Sequence, residues 1–267
     1  MHCAVLGDPI AHSLSPALHR AAYAATGLDW EYDALRVPLG GLAGFVAGLG
    51  ADWRGLSLTM PLKREALALA AEVGPWARIA GAANTLVRTE RGWAADNTDV
   101  PGAVAALRER TTDRLVTATV LGGGATAAST ALALCELGVG SLTLLVRSPA
   151  RAADTLAAID AHPSRPAVRI GSLDSGEVVG DVVVSTVPAA AQTPDLVARC
   201  GGVPVVFDVV YDPWPTPLAA SASGRVLVGG LDLLVHQAAL QFELFTGRSA
   251  PLAVMRSAGE AALEARA

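Results

Sequence analysis

The sequence is poor in the features that mark several classes of protein. Only 17% of its 267 residues are charged and the formal net charge is −5, which argues against a basic surface for nucleic acid or membranes. No apolar run approaches the roughly 18 residues of a membrane span, and the N-terminus lacks the basic start of a signal peptide. The three cysteines are odd in number and far apart, which is typical of buried thiols in a reducing compartment. We therefore expect a cytoplasmic globular protein with no metal site and no nucleic-acid or membrane partner.

Lysine and asparagine are almost absent as well. Of the 20 basic residues 19 are arginine, the single lysine is Lys63, and the only asparagines are Asn84 and Asn97. Arginine stays charged near neutral pH, whereas a lysine can release a proton where its surroundings favour the neutral amine. A solvated surface position is the ordinary explanation of a lone lysine. Proton transfer is the functional alternative.

Strands and helices alternate along the chain, and 52% of the residues are hydrophobic, so the sequence predicts an α/β fold with a sizeable core. Residues 1 to about 100 predict a mainly parallel sheet, and a polar connection at 109–114 marks a boundary. A second parallel sheet is predicted beyond it, because runs such as Val182–Val184 are apolar throughout. Its strands are expected at 116–121, 141–146, 167–170, 181–186 and 203–209. Residues 230–266 predict two helices that break at Gly247 and Pro251.

Three local patterns predict how elements of the N-terminal region begin. Ser15 is expected to cap a helix whose first residue is Pro16. Pro61 is expected to begin another helix, because apolar residues follow it at helical spacing. Residues 84–88 and 93–95, which flank a turn at 89–92, predict a β-hairpin.

A glycine-rich segment follows the first strand of the second predicted sheet. The residues Gly122, Gly123, Gly124, Ala125, Thr126 and Ala127 fit the pattern G-x-G-x-x-A between a predicted strand and a predicted helix. Three glycines after a strand often mark only a turn. In this strand–turn–helix context they predict a dinucleotide site, because a pyrophosphate needs close backbone approach and a helix N-terminus.

The next strand ends at Val146 without the acidic residue that usually binds a ribose hydroxyl. Arg147, Ser148 and Arg151 stand there instead, and guanidinium groups suit a 2′-phosphate. A basic helix start is the ordinary alternative, although cations are unfavourable at a helix N-terminus. The pattern favours NADP over NAD.

Four polar clusters remain in the N-terminal region, at residues 13–15, 59–63, 84–85 and 96–99. Each has an ordinary explanation as a helix cap, a strand end or a turn. Together they place many uncharged hydrogen-bonding groups beside Lys63 and Asp99. This combination suits a small polyhydroxylated ligand and proton transfer.

These segments resemble the shikimate dehydrogenase family, and the resemblance extends over nearly the whole chain. The matching segments are Gly7–Pro16, Ser57–Lys63, Gly81–Leu86, Asp96–Asp99, Asp208–Tyr211 with Thr216–Leu218, and Gly230–Ala239. The resemblance implies NADP-linked reduction of 3-dehydroshikimate to shikimate. It also implies an α/β substrate domain, a Rossmann-type NADP domain and C-terminal helices that pack back on the substrate domain. We place them at residues 1–101, 102–235 and 236–267.

The resemblance assigns roles to individual positions. Lys63 and Asp99 form the implied catalytic pair. The implied substrate-binding residues are Ser13 and Ser15 for the carboxylate, and Thr59, Asn84, Asp99 and Gln237 for the ring hydroxyls, with Lys63 and Tyr211 beside them. The implied cofactor contacts beyond the glycine-rich segment and its arginines are Thr186, Val187, Val209 and Gly230.

The chain departs from the family pattern at three places. Ser57 stands where the family often has asparagine, Val100 and Pro101 replace a usual glycine, and the segment 187–189 lacks a common polar run. Substrate choice therefore stays open between shikimate, quinate and an amino-substituted shikimate. A non-catalytic NADP-binding sensor is the alternative from another class. The sequence is compatible with a monomer or a homodimer.

Overall fold

A computed structural model of the chain describes residues 1–266, with the side chain of Arg151 outside the described part. The chain forms two compact units. The first comprises Met1–Thr98 and the segment that begins at Leu234, and the second comprises Asp99–Leu233. Within the described residues, no helix is both long and apolar enough to cross a membrane.

The first unit is built on a mixed, mostly parallel sheet. Its elements are β1 (His2–Gly7), α1 (Ser15–Ala25), β2 (Glu31–Arg36), α2 (Leu42–Ala47), β3 (Trp53–Leu58), β4 (Glu72–Val73), α3 (Pro75–Ala80), β5 (Thr85–Thr89) and β6 (Gly92–Asp96). The strand order is β2-β1-β3-β5-β6-β4. Only β5 runs antiparallel to its neighbours, so the mainly parallel sheet and the predicted hairpin are both confirmed.

The second unit is built on a sheet of six parallel strands. Its elements are α4 (Asp99–Arg110), β7 (Thr117–Leu121), α5 (Ala125–Glu136), β8 (Ser141–Val146), α6 (Ala153–Ala161), β9 (Ala167–Ser172), β10 (Val182–Ser185), α7 (Pro194–Arg199), β11 (Val205–Asp208), α8 (Pro217–Ala220) and β12 (Val226–Val228). The strand order is β12-β11-β10-β7-β8-β9. The chain ends with α9 (Gly230–Thr246) and α10 (Leu252–Glu264), which confirms the predicted pair of helices.

Apolar burial explains these elements. β1 and β10 are buried along nearly their whole length, as strands covered on both faces must be. In the first unit the ring of Phe245 from α9 packs against Gly55 in β3, where a Cβ would collide with it. All three cysteines are buried, as predicted, and burial raises the pKa of each thiol to about 11.

Two predicted helix starts are wrong. Leu14 rather than Ser15 is the N-cap of α1, because its carbonyl accepts the first helical bonds from Ala17 and Leu18. No α-helix begins at Pro61; turns follow it, and then a short 3-10 helix. The Lys63 carbonyl accepts from the Ala83 N–H over 2.7 Å, which takes that carbonyl out of a helical ladder.

Candidate functional site

The first unit places its polar clusters at one edge of its sheet. β1 and β3 run parallel, with Leu6 paired to Leu58. β5 and β6 continue the sheet, with Ser57 paired to Thr85 and Thr85 to Asp96. Because β5 is antiparallel to both neighbours, its first residue lies beside the last residues of β3 and β6. The segments after β1, β3 and β6 and the segment before β5 therefore meet at this edge.

Ser13 and Ser15 lie on the segment that leads from β1 into α1. The Ser15 backbone N–H donates to Ser13 Oγ over 3.3 Å. Ser13 is half-buried and Ser15 is buried. The structure thus brings the two serines together at the start of α1, and a serine hydroxyl can donate to a carboxylate.

Thr59 and Lys63 lie on the turns that follow β3, and both are half-buried. The Thr59 N–H donates to the Leu6 carbonyl over 2.9 Å, which continues the pairing of β3 with β1. The bond from Ala83 to the Lys63 carbonyl fixes the other end of the turn. The only lysine of the chain therefore belongs to a hydrogen-bonded turn at the polar edge.

Asn84, Thr98 and Gln237 form a buried polar cluster beside that turn. The Thr98 backbone N–H donates to Asn84 Oδ1 over 2.8 Å, and Asn84 Nδ2 donates to Thr98 Oγ1 over 2.9 Å. Asn84 Nδ2 also lies 3.2 Å from Gln237 Oε1. All three are buried, with Gln237 the most exposed at 7%. A predicted residue from the hairpin and one from α9 are thus brought into direct contact.

The same cluster contains residues that the sequence analysis did not single out for the site. Gln241 Oε1 accepts from Ser57 Oγ over 2.7 Å, and Ser57 Oγ accepts from Tyr32 OH over 2.6 Å. Gln241 Nε2 donates to Thr85 Oγ1 over 3.0 Å. The available signal was the spacing on α9, since Gln241 lies four residues after Gln237 and thus on the same helix face.

Asp99, the proposed partner of Lys63, is the first residue of α4 and is 5% exposed. It directly follows Thr98, whose main chain is fixed by Asn84. Asp99 therefore marks the point at which the chain leaves the first unit and enters the second.

In the second unit the carboxyl ends of all six strands share one edge, because every pair is parallel. The chain adds β8 and β9 on one side of β7, then returns to add β10, β11 and β12 on the other. Such a topological switch point is where open α/β sheets bind ligands.

The glycine-rich segment lies at that switch point, between β7 and α5. Gly122 has a φ of +114°, and a Cβ there would collide with Thr186 Oγ1. Gly124 is the N-cap of α5; no side chain caps the helix there, and the space beside Gly124 is open. The backbone N–H groups of Ala125–Ala127 therefore suit a phosphate group.

The other predicted cofactor residues lie at the same edge. Arg147 follows β8 and is exposed, and Ser148 precedes a 3-10 helix at Pro149–Ala152. Val187 follows β10 and is buried. Val209 follows β11, and so does the half-buried Tyr211, which was predicted to bind the substrate. A Cβ at Gly230 would collide with the Val209 backbone, so α9 can begin close to the end of β11 only with glycine there. The predicted contact of Arg151 falls on a side chain outside the described part of the chain.

Comparisons with known proteins agree with this arrangement. Residues 5–86 match the shikimate dehydrogenase substrate binding domain, and residues 230–258 match the shikimate 5′-dehydrogenase C-terminal domain. A curated shikimate dehydrogenase (NADP(+)) from Symbiobacterium thermophilum is 38% identical over an alignment of 280 residues. The alignment covers 97% of this chain and 94% of that protein. The chain belongs to the shikimate dehydrogenase family. The resemblance drawn from the sequence motifs is thereby confirmed.

Solved structures of this family have the same fold. The crystal structure of Mycobacterium tuberculosis shikimate dehydrogenase has a TM-score of 0.86 and 41% identity, covering 98% of this chain and 99% of that one. The Thermus thermophilus shikimate 5-dehydrogenase, solved in complex with NADP(H) and shikimate, has a TM-score of 0.83 and 32% identity, covering 98% of this chain and 99% of that one. The predicted α/β fold is confirmed by both.

Proposed function

We propose that this protein catalyses the reversible, NADP-dependent reduction of 3-dehydroshikimate to shikimate. The observation that carries the proposal is the buried cluster of Asn84, Thr98 and Gln237 in a chain that matches shikimate dehydrogenases over nearly its whole length. These uncharged donors and acceptors suit the hydroxyl groups of a small ring.

The first unit, with α9 from Leu234 onward and α10, is the substrate unit in this proposal. Ser13 and Ser15 bind the carboxylate of the substrate through their hydroxyl groups. Thr59, Asn84 and Gln237 bind its ring hydroxyls, together with Asp99 and Tyr211. A carboxylate is bound alike before and during the reaction, so these contacts serve affinity and orientation.

The second unit is the NADP unit. Its fit to the cofactor rests on the uncapped N-terminus of α5 and the open space beside Gly124. Arg147, Ser148 and Arg151 bind the 2′-phosphate, and Thr186, Val187, Val209 and Gly230 contact the cofactor at the ends of β10 and β11 and the start of α9. When bound, the reduced nicotinamide supplies the hydride.

Lys63 and Asp99 carry the proton transfer. As the carbonyl carbon of 3-dehydroshikimate gains a hydride, its oxygen takes a proton from the Lys63 ammonium. The Asp99 carboxylate orients that ammonium and stabilises its charged form. The resulting neutral amine regains a proton from water, which completes the cycle. In the reverse direction the amine removes the proton from the shikimate hydroxyl.

An absorbance assay of NADPH tests the proposal. We expect oxidation of NADPH with 3-dehydroshikimate, and reduction of NADP with shikimate at higher kcat/KM than with quinate or an amino-substituted shikimate. NAD should support slower turnover than NADP. Faster turnover of quinate would reassign the substrate, and a lack of turnover with every ring acid would favour a non-catalytic NADP-binding protein.

A further inference from the structure

A buried chain of hydrogen bonds runs through the first unit, and two backbone groups fix its direction. The Thr98 backbone N–H can only donate, so the Asn84 atom 2.8 Å from it is the amide oxygen. The Asn84 backbone carbonyl can only accept, so the Gln241 atom 3.0 Å from it is the amide nitrogen. These two bonds therefore identify which atom is oxygen and which is nitrogen in both amide groups.

These two bonds determine which group donates in each of the other bonds. Gln241 Nε2 also donates to Thr85 Oγ1, so the single Thr85 hydroxyl proton is directed to Asn84 Oδ1, 2.8 Å away. Gln241 Oε1 can only accept, so Ser57 Oγ donates to it and accepts in turn from Tyr32 OH. Every donor in this series of hydrogen bonds consequently points the same way, from Tyr32 to Asn84.

This series of hydrogen bonds ends at Asn84, which belongs to the proposed site for ring hydroxyls. Asn84 Nδ2 points towards Gln237 Oε1, and Gln237 Nε2 donates to the Leu234 carbonyl over 2.9 Å. One N–H group of Asn84 donates to Thr98 Oγ1 and the other faces Gln237 Oε1, so a ring hydroxyl can insert between the two amides in place of the longer of these bonds. A hydroxyl group accepts from the first and donates to the second, so this polarity selects a hydroxyl at that position of the ring.

We propose that Thr85 and Gln241 are positioning residues for the substrate, which act by holding the amide of Asn84 in this orientation. The inference rests on the proposed role of Asn84 in binding a ring hydroxyl. Thr85, Gln241 and Asn84 are each no more than 2% exposed, so water cannot replace a lost partner. A reversed Asn84 amide would set an N–H group against the Thr98 N–H and would lose the bond that the Thr85 hydroxyl donates to Oδ1.

Replacing Thr85 by an isosteric side chain tests the proposal. Thr85→Val removes the hydroxyl and keeps the shape, and we expect the KM for shikimate to rise about three- to tenfold, the worth of one hydrogen bond. The kcat and the KM for NADP should stay within about twofold, because the reacting groups and the cofactor unit are unchanged. Thr85→Ser restores the hydroxyl and should restore the KM. Thr246→Val is the matched control, since it removes a hydroxyl of the same unit that donates to the Phe242 carbonyl and accepts from the Arg248 N–H at the end of α9.

A second variant acts at the next bond of the chain. Gln241→Met keeps the length of the side chain and removes its amide, and it should raise the same KM. The double variant should raise the KM for shikimate no more than the more severe single variant does, because both act through Asn84.

If the unaltered protein oxidises shikimate and folded Thr85→Val keeps its KM, the inference is wrong and the proposed function stands. It is also wrong if Thr85→Ser fails to restore the KM. Should Thr85→Val not fold, the KM of Gln241→Met decides in the same way. An unaltered protein that does not oxidise shikimate would overturn both proposals.

Discussion

At the scale of single residues, Lys63 is the side chain on which the proposed chemistry depends. Lys63→Ala removes the proton donor and leaves the turn that carries it, whose bond to Ala83 uses only the backbone. We expect kcat to fall by roughly 10²–10⁴, the range for a positioned proton donor. Steady-state kinetics with 3-dehydroshikimate and NADPH measure this directly.

Ser13→Ala is the comparison, because Ser13 is proposed to bind the substrate and to take no part in proton transfer. Here the KM for the substrate should rise while kcat changes little, since a carboxylate contact is equally strong in the ground and transition states. Should Lys63→Ala keep most of its turnover, the proton-transfer role is refuted whatever the effect at Ser13.

His19 is a buried residue with a consequence for acid stability. Its ring stacks on Tyr32 at 4.1 Å between centroids, and among the described residues neither ring nitrogen has a hydrogen-bond partner. Burial lowers the pKa of His19 to about 3, an effect that the nearby Gln241 amide offsets in part. The folded protein therefore binds this proton less readily than the unfolded chain, whose histidine titrates near 6.5.

The free energy of unfolding should consequently fall as the pH drops below about 6.5, and continue to fall until about pH 3. His19→Phe keeps an aromatic ring against Tyr32 and removes the titration. Between pH 7 and about pH 4.5 the free energy of unfolding of the unaltered protein should fall by roughly 2–3 kcal/mol more than that of the variant. Urea unfolding at both pH values measures it, and His12→Gln, which removes an exposed histidine, serves as control. Parallel pH profiles for His19→Phe and the unaltered protein would contradict the argument.

At the scale of elements, the carboxyl end of β8 should determine the choice of cofactor. Arg147→Ala should raise the KM for NADP(H) much more than that for NAD(H), because a charge-assisted contact of about 1.5–3 kcal/mol is lost only with the phosphorylated cofactor. The ratio of kcat/KM for the two cofactors measures the effect. An equal loss with both would disprove the assignment.

The elements also differ in how far the sequence predicts them. The limits of β8 agree with the prediction, because an apolar run bounded by a turn and an arginine leaves few alternatives. The helix expected at Pro61 fails, because the distant Ala83 N–H takes the Lys63 carbonyl, and no local pattern contains that bond. β12 was missed for a related reason: three residues are a strand only because β11 lies beside them.

At the scale of the whole molecule, one lysine gives a chemical test of the active site without a mutation. Lys63 is the one lysine side chain that an amine-directed acylating reagent can modify in residues 1–267. Activity should be lost in proportion to one modified amine, which peptide mass mapping should assign to Lys63. Saturating shikimate should protect, and NADP alone should protect less.

A solvated lysine would instead be labelled quickly, without loss of activity and without protection by shikimate. A fully acylated Lys63 in an enzyme that turns over normally would therefore eliminate this residue from the mechanism.

Prediction from sequence also has its limits at this scale. Asn84 and Gln237 were predicted as site residues because each lies in a motif, and the structure brings them together. Gln241 and Tyr32 lie in no such motif, and they join the cluster through contacts between α9, β2 and β3 that depend on the tertiary fold. Motifs predicted residues expected to contact ligands, whereas Gln241 and Tyr32, and the bond by which Thr85 orients Asn84, required the structure.

The first unit joins residues 1–98 to the segment that begins at Leu234, and this affects how the protein can fold during synthesis. Phe245 fills the space beside Gly55, its carbonyl accepts from Arg54 Nε over 2.8 Å, and α10 packs on α1. A ribosome therefore produces residues 1–98 long before it produces the helices that complete their core. Residues 99–233 form one continuous segment with a sheet of its own, so the middle of the chain can fold first. We expect the nascent residues 1–98 to expose apolar surface until α9 and α10 have been synthesised, and to depend on chaperones more than residues 99–233 do.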